Sequence, residues 1–180
     1  MVRALRFGIL VFCLAAALVF VNSVPFEPAL AQTQRQIDQC VNRGKANSPD
    51  VQLQACSMII QSGKWTGKNL AWAYNDRGDA YTDNKDYDAA IAAYSEGIRL
   101  DGDDTFGYSG RCIARVWKSE WDAAIKDCTQ AIRLKPDFGI ALCWRGIAEQ
   151  ANGQASAGEV DIAEALKIDS GISCPSNWRP

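Results

Sequence analysis

Apolar residues recur at helical spacing through most of residues 71–172, in stretches separated by short polar turns. The segments DYDAAIAAYSEGIRLD and EWDAAIKDCTQAIRLK are nearly superimposable, and written in rows of 34 the chain aligns with itself. Gly78, Cys112 and Gly146 share one column, each preceded by an arginine (Arg77, Arg111, Arg145). Ala90 and Ala124 share a second, with Gly158 beneath them. Tyr94, Cys128 and Ile162 share a third, and Gly97, Ala131 and Ala165 a fourth. Each row holds two helical stretches joined by a turn, expected at Asn84-Lys85-Asp86, Lys118-Ser119-Glu120 and Gln154-Ala155-Ser156. Asp101-Gly102 closes the first row and Pro136 the second.

These columns are similar to those of the tetratricopeptide repeat family, whose 34-residue helix–turn–helix units keep small residues at close helix crossings. The resemblance covers rows 71–104, 105–138 and 139–172. It implies an all-α fold, a right-handed superhelical stack of helical hairpins. The rows depart from the family in placing arginine where leucine is common. In the last two rows an aspartate follows 16 residues later (Asp127 after Arg111, Asp161 after Arg145), so antiparallel helices bring the charges level as structural ion pairs. The first row has Ala93 in that slot, and Arg77 needs another partner.

A degenerate hairpin precedes the rows, within residues 32–70. Cys40 and Cys56 stand 16 residues apart, like Cys112 and Cys128. A first helix is expected over Gln34 to Gly44 and a second over Asp50 to Ser62, with Asn47-Ser48-Pro49 between them and Pro49 opening the second. Residues equally distant from a hairpin turn lie side by side on antiparallel helices, within the roughly 4.4–6.8 Å between Cα atoms that a disulfide needs. Cys40 is therefore expected to pair with Cys56 and Cys112 with Cys128, which leaves Cys143 for Cys174. That last bridge would pin the tail, residues 173–180, over the open end of the stack.

The seventh cysteine, Cys13, belongs to a different kind of segment. Arg3 and Arg6 precede an apolar run from Phe7 to Val21, short of the roughly 20 residues that span a bilayer, and Ala29-Leu30-Ala31 follows at cleavage-site spacing. Residues 1–31 read as a signal peptide cut after Ala31. Phe12 is too bulky to precede a lipidated cysteine. Six remaining cysteines in an exported chain suit three disulfides, a periplasmic or secreted location, and no membrane insertion after cleavage.

Composition narrows the chemistry. The 180 residues carry 19 Lys+Arg against 21 Asp+Glu, a net charge of −2, without the basic excess of a nucleic-acid binder. No histidine occurs, which removes the commonest general base and most zinc sites. There is no C-x-x-C for redox or zinc chemistry and no phosphate-cradling G-x-x-x-x-G-K. Asp101-Gly102-Asp103-Asp104 lacks the later glycine and glutamate of a calcium loop, with Phe106 and Cys112 in their places. Asp86 and Asp88 are turn charges. The expectation is a non-catalytic protein without cofactor or metal.

The resemblance also implies where a partner would sit, because the first helix of each unit lines a concave groove. Here that face would carry Trp72, Asn75 and Asp79 from the first row. Phe106, Ser109, Ile113 and Trp117 would come from the second, and Ile140, Cys143 and Ile147 from the third. Relatives that bind chaperone carboxyl tails use lysine, asparagine and arginine. Only Asn75 fits such a position, with Asp79, Ile140 and Trp144 replacing the others. Asp79 and Asp83 make one end of the groove acidic. The reading is an interaction scaffold of a bacterial envelope, binding a mildly basic or apolar peptide or helix of another protein. Its alternatives are a homo-oligomeric structural protein, self-associating through the ends of the stack, and more remotely an enzyme with an unrecognised site.

Overall fold

The computed structural model describes residues 29–172 and Cys174, which form eight α-helices and no strand among the described residues. They are α1 (Ala29–Val41), α2 (Pro49–Gln61), α3 (Ala71–Asp83), α4 (Tyr87–Leu100), α5 (Thr105–Trp117), α6 (Trp121–Leu134), α7 (Gly139–Ala151) and α8 (Ala155–Ile168). Each helix packs on the next, and the odd-numbered helices also pack on one another, α1 on α3, α3 on α5 and α5 on α7. Odd helices therefore make an inner layer and even helices an outer one. Most of the expected signal segment, residues 1–28, and the tail beyond Cys174 lie outside the described residues. The expected cut after Ala31 falls in the first turn of α1.

Local chemistry sets the boundaries. Asp86 and Asp104 cap α4 and α5, their carboxylates accepting from the amides of Ala89 (3.1 Å) and Gly107 (3.0 Å). Ser48 caps α2 with Pro49 at its first position, as expected. The three regular hairpin loops share one closure. Lys85, Ser119 and Gly153 take left-handed backbone angles, and the amides of Asp86, Glu120 and Gln154 donate to the carbonyls of Tyr81, Arg115 and Glu149. The third loop is thus Asn152-Gly153-Gln154, two residues before the expected turn, because Gly153 supplies the left-handed residue. Likewise α1 stops at Val41 rather than Gly44, since Asn42 (φ 44°) and Gly44 (φ 75°) turn the chain into a short 3₁₀ segment.

The two helices of each hairpin cross at one pair of columns. Cys40 bonds to Cys56 and Cys112 to Cys128, with Cα separations of 4.7 and 5.5 Å. Cys143 bonds to Cys174 at 5.7 Å, tying α7 to the segment after α8. In α3–α4 the crossing holds Gly78 and Tyr94 instead. A Cβ on Gly78 would lie 2.6 Å from the Tyr94 ring, and one on Gly110 of α5 would overlap the same ring from the other side. Tyr94, 2% exposed, is threaded from the outer layer between two glycines of the inner one.

The arginine column behaves as its spacing requires. Arg111 makes a bidentate pair with Asp127, both contacts 2.8 Å, and Arg145 pairs with Asp161 at 2.5 and 2.9 Å. Asp127, 4% exposed, also accepts from Arg115 at 2.8 Å. Each paired arginine reaches back as well, to Ser95 Oγ (3.0 Å) or Thr129 Oγ1 (3.4 Å). Arg77, facing Ala93, instead lies over the Tyr74 ring at 4.8 Å.

Two outcomes are expected. Gly110→Ala destabilises the fold by about 1–3 kcal/mol because the new methyl meets a ring that cannot move aside. A thermal melt reads the loss, and most of it disappears in a Tyr94→Leu background. Peptide mapping without reduction yields Cys40–Cys56, Cys112–Cys128 and Cys143–Cys174, and any other Cys40 partner contradicts the hairpin crossings.

Candidate functional site

The inner layer opens on a cleft of about 520 Å³ whose lining spans four hairpins. Asp79, Thr82 and Asp83 come from α3, Ile113 from α5 and Ile140 from α7. Val41 and Lys45 enter from the end of α1 and its 3₁₀ extension. The Tyr94 hydroxyl arrives from the outer layer through the slot left by Gly78 and Gly110. Apolar walls of Val41, Ile113 and Ile140 thus face a polar floor, and Ile140 keeps 43% of its surface open to solvent.

Hydrogen bonds fix that floor. Tyr94 donates to Asp79 Oδ1 at 2.6 Å, with its oxygen 3.5 Å from the Thr82 hydroxyl. Lys45 pairs with Asp83 at 2.8 and 3.0 Å. Behind Asp79, the N-terminal hairpin is stitched to α3 by polar side chains. Asn42 donates to Gln52 (3.0 Å), and Gln52 donates to the Asp76 carbonyl (3.1 Å).

The carboxylates are electrostatically unusual. Desolvation pushes the Asp79 carboxyl up, against the Tyr94 hydrogen bond; Asp83 adds to the rise and Lys45 opposes it. Asp76, one turn away, is pushed up to about 7, by burial first and by the charge of Asp79 second, with Arg43 partly opposing. The Tyr94 hydroxyl rises well above its usual value through burial and then Asp79.

Three of the expected groove residues, Asp79, Ile113 and Ile140, converge in this cleft. Trp72 and Asn75 sit elsewhere. Trp72 packs edge-on against Trp65 (centroids 6.3 Å apart) in the cluster under the N-terminal hairpin. Asn75 donates its amide to Asp104 at 2.7 Å. Ser109, Cys143 and Ile147 are buried, 3%, 1% and 3% exposed, because direct contact of α7 with α5 closes those sides. Phe106 is 67% exposed and meets Phe138 edge-on at 5.5 Å. Trp117, 44% exposed, stacks on Tyr87 (6.0 Å, 5°) and tilts against Trp144. The repeat columns place Tyr94 among core residues, and the glycines at 78 and 110, which leave room for a ring, are the sequence feature that lets it reach the cleft. Val41 and Lys45 carry no repeat signal. Among the described residues no acidic or cysteine cluster could hold a metal ion, and no helix is long and apolar enough to cross a membrane.

The family model for the tetratricopeptide repeat matches residues 71–104. The second TPR of Spaghetti (RPAP3), solved bound to the HSP90 peptide SRMEEVD, superposes with a TM-score of 0.55 at 30% identity. That match covers 57% of this chain and 94% of the other. The chain belongs to the tetratricopeptide repeat family. The second TPR domain of human RPAP3, in complex with the HSP70 peptide SGPTIEEVD, is similarly related (30% identity, TM-score 0.54, 57% of this chain and 86% of that one). A crystal structure of MamA shares the fold at 20% identity, with a TM-score of 0.66 over 79% and 81% of the two chains. Comparison with curated proteins gives no match. The cleft of this tetratricopeptide repeat protein lies on the layer formed by the first helix of each repeat.

Asp76 gives the TPR stack a testable pH dependence. Its folded-state value, about 7, lies above the ordinary 3.8, so the folded state holds a proton that the unfolded chain has released between those limits. Stability therefore falls as pH rises through that window, and Asp79 contributes a slope of the same sign. Asp76→Asn should melt a few degrees above the parent at pH 8, with the gap closing near pH 4. An equal gap at both pH values contradicts the assignment.

Proposed function

We propose that this chain is a non-catalytic interaction module that binds a segment of another protein in the cleft of its inner layer. The observation that carries the reading is convergence. Side chains from α3, α5 and α7 meet the end of the N-terminal hairpin around one opening, with aliphatic walls exposed to solvent and a fixed polar floor. Such a surface suits an extended or helical segment whose apolar side chains bury against Ile113 and Ile140 while polar groups fix its register. Phe106 and Trp117, both solvent-exposed on α5, offer further apolar surface outside the cleft lining. The peptide complexes of the RPAP3 relatives support this mode of action.

An exported location, in the bacterial envelope or beyond it, belongs to the same proposal. Three cysteine pairs at bonding distance are consistent with an oxidising compartment, and the apolar run Phe7 to Val21 behind Arg3 and Arg6 supports reading residues 1–31 as a targeting signal. Self-association is the second reading. It is favoured by α8, whose Val160, Leu166 and Ile168 are 68%, 42% and 39% exposed at the end of the stack.

Ile113→Asp/Ile140→Asp separates the two. The binding reading expects partner capture from the native extract to fall at least tenfold while circular dichroism and sedimentation stay those of the parent. Unchanged capture, or capture of nothing but further copies of the chain, sinks the cleft and leaves the end of α8 as the working surface.

A further inference from the structure

Resting on the cleft as the binding site, we propose that the bound segment carries a lysine or arginine whose cationic head docks on Asp79, with aliphatic side chains to either side against Ile113 and Ile140. The cleft sets aliphatic side chains against a polar floor, and its charges do not cancel. Asp83 is matched by Lys45 at 2.8 Å, whereas Asp79 forms no ion pair among the described residues. Asp79 Oδ1 is occupied by Tyr94, and Oδ2 has no hydrogen-bond partner among the described residues.

The carboxylate is also held in place. Its anchor, Tyr94, is wedged between Gly78 and Gly110, so Asp79 needs no reordering to receive a donor. The aliphatic walls stand across the cleft, contributed by the next two repeats. A cation with apolar neighbours thus meets a fixed acceptor and a place to bury its flanking residues.

The opposite ligand is disfavoured by the same groups. An acidic carboxyl tail such as SRMEEVD would bring further negative charge to Asp79 and Asp83. The cleft's cation, Lys45, is already engaged by Asp83, and Asn75 is committed to Asp104. Like-charge juxtaposition in a partly desolvated cleft is a strong basis for rejection.

Selection from a random heptapeptide library, blocked at both ends, on the oxidised full chain tests this. Selected peptides should carry Lys or Arg beside aliphatic residues. Replacing that cation by norleucine should weaken binding about tenfold or more on the parent and less than twofold on Asp79→Asn. Asp79→Asn is nearly isosteric, and its melting curve verifies that it folds. Asp79→Glu, which restores the charge, should recover part of the discrimination. Acidic or uncharged selected peptides, or a norleucine penalty unchanged in Asp79→Asn, overturn the cation assignment. If such peptides are still lost on Ile113→Asp/Ile140→Asp, the cleft survives as the site. Peptides that bind that double variant undiminished, or no selection at all, overturn the cleft itself and this assignment with it.

Discussion

Everything in this stack depends on how closely the two helices of a hairpin approach where residues 16 apart meet. The crossing is filled in three ways across the four hairpins. The N-terminal and third hairpins use a disulfide, the second a glycine facing tyrosine, and the fourth a glycine facing isoleucine. In the fourth, a Cβ on Gly146 would approach the Gly158 carbonyl and Ile162 within 2.8 Å, so the helices nearly touch. Each solution keeps the layers close enough for inner helices to contact one another as well as their own partners. Without that approach there is no continuous inner layer, and without the layer no cleft spans several hairpins.

A neighbouring pair of columns supplies direction as well as cohesion. Arg111 and Arg145 each bind the aspartate of their own hairpin and a hydroxyl of the hairpin before it, so a single guanidinium spans three helices. Planar, two-pronged pairing of this kind tolerates little sliding and fixes the vertical register of α5 against α6 and of α7 against α8. The first repeat lacks the aspartate, and there Arg77 rests on Tyr74 while the deep crossing is occupied by Tyr94. The absent ion pair and the threaded tyrosine fall in the same hairpin, where α3 also meets the polar network of Asn42 and Gln52.

Features internal to one hairpin were legible in the chain: the helical pairs, the first two regular loops, the cysteine partners 16 residues apart and the Arg–Asp pairs. Each follows from one repeat and its own turn. Ile147 occupies the same column as Asp79 and Ile113 yet is enclosed, because exposure depends on how one hairpin sits on the next. The contributions of Val41 and Lys45 depend on Asn42 and Gly44, two left-handed residues that bend the chain toward α3. Tyr94 reaches the cleft because of a glycine in a different repeat, Gly110, which alignment of the rows does not associate with it. Periodicity therefore described the hairpins well and the surface between them poorly.

The cross-links also make the stack mechanically uneven. The N-terminal and third hairpins are each locked by a covalent bridge, and the last is belted to the segment that follows it. Between them α3–α4 carries no cysteine, and its layers meet at the Tyr94 ring wedged between Gly78 and Gly110. Bending applied along the stack therefore meets covalent bridges at either side and, in this one hairpin, non-covalent packing alone. That hairpin supplies Asp79, Thr82 and Asp83 to the cleft floor, so the polar part of the cleft owes its shape to a ring seated between glycines, and an oxidant or reductant that remakes the bridges elsewhere leaves it without a bond to break.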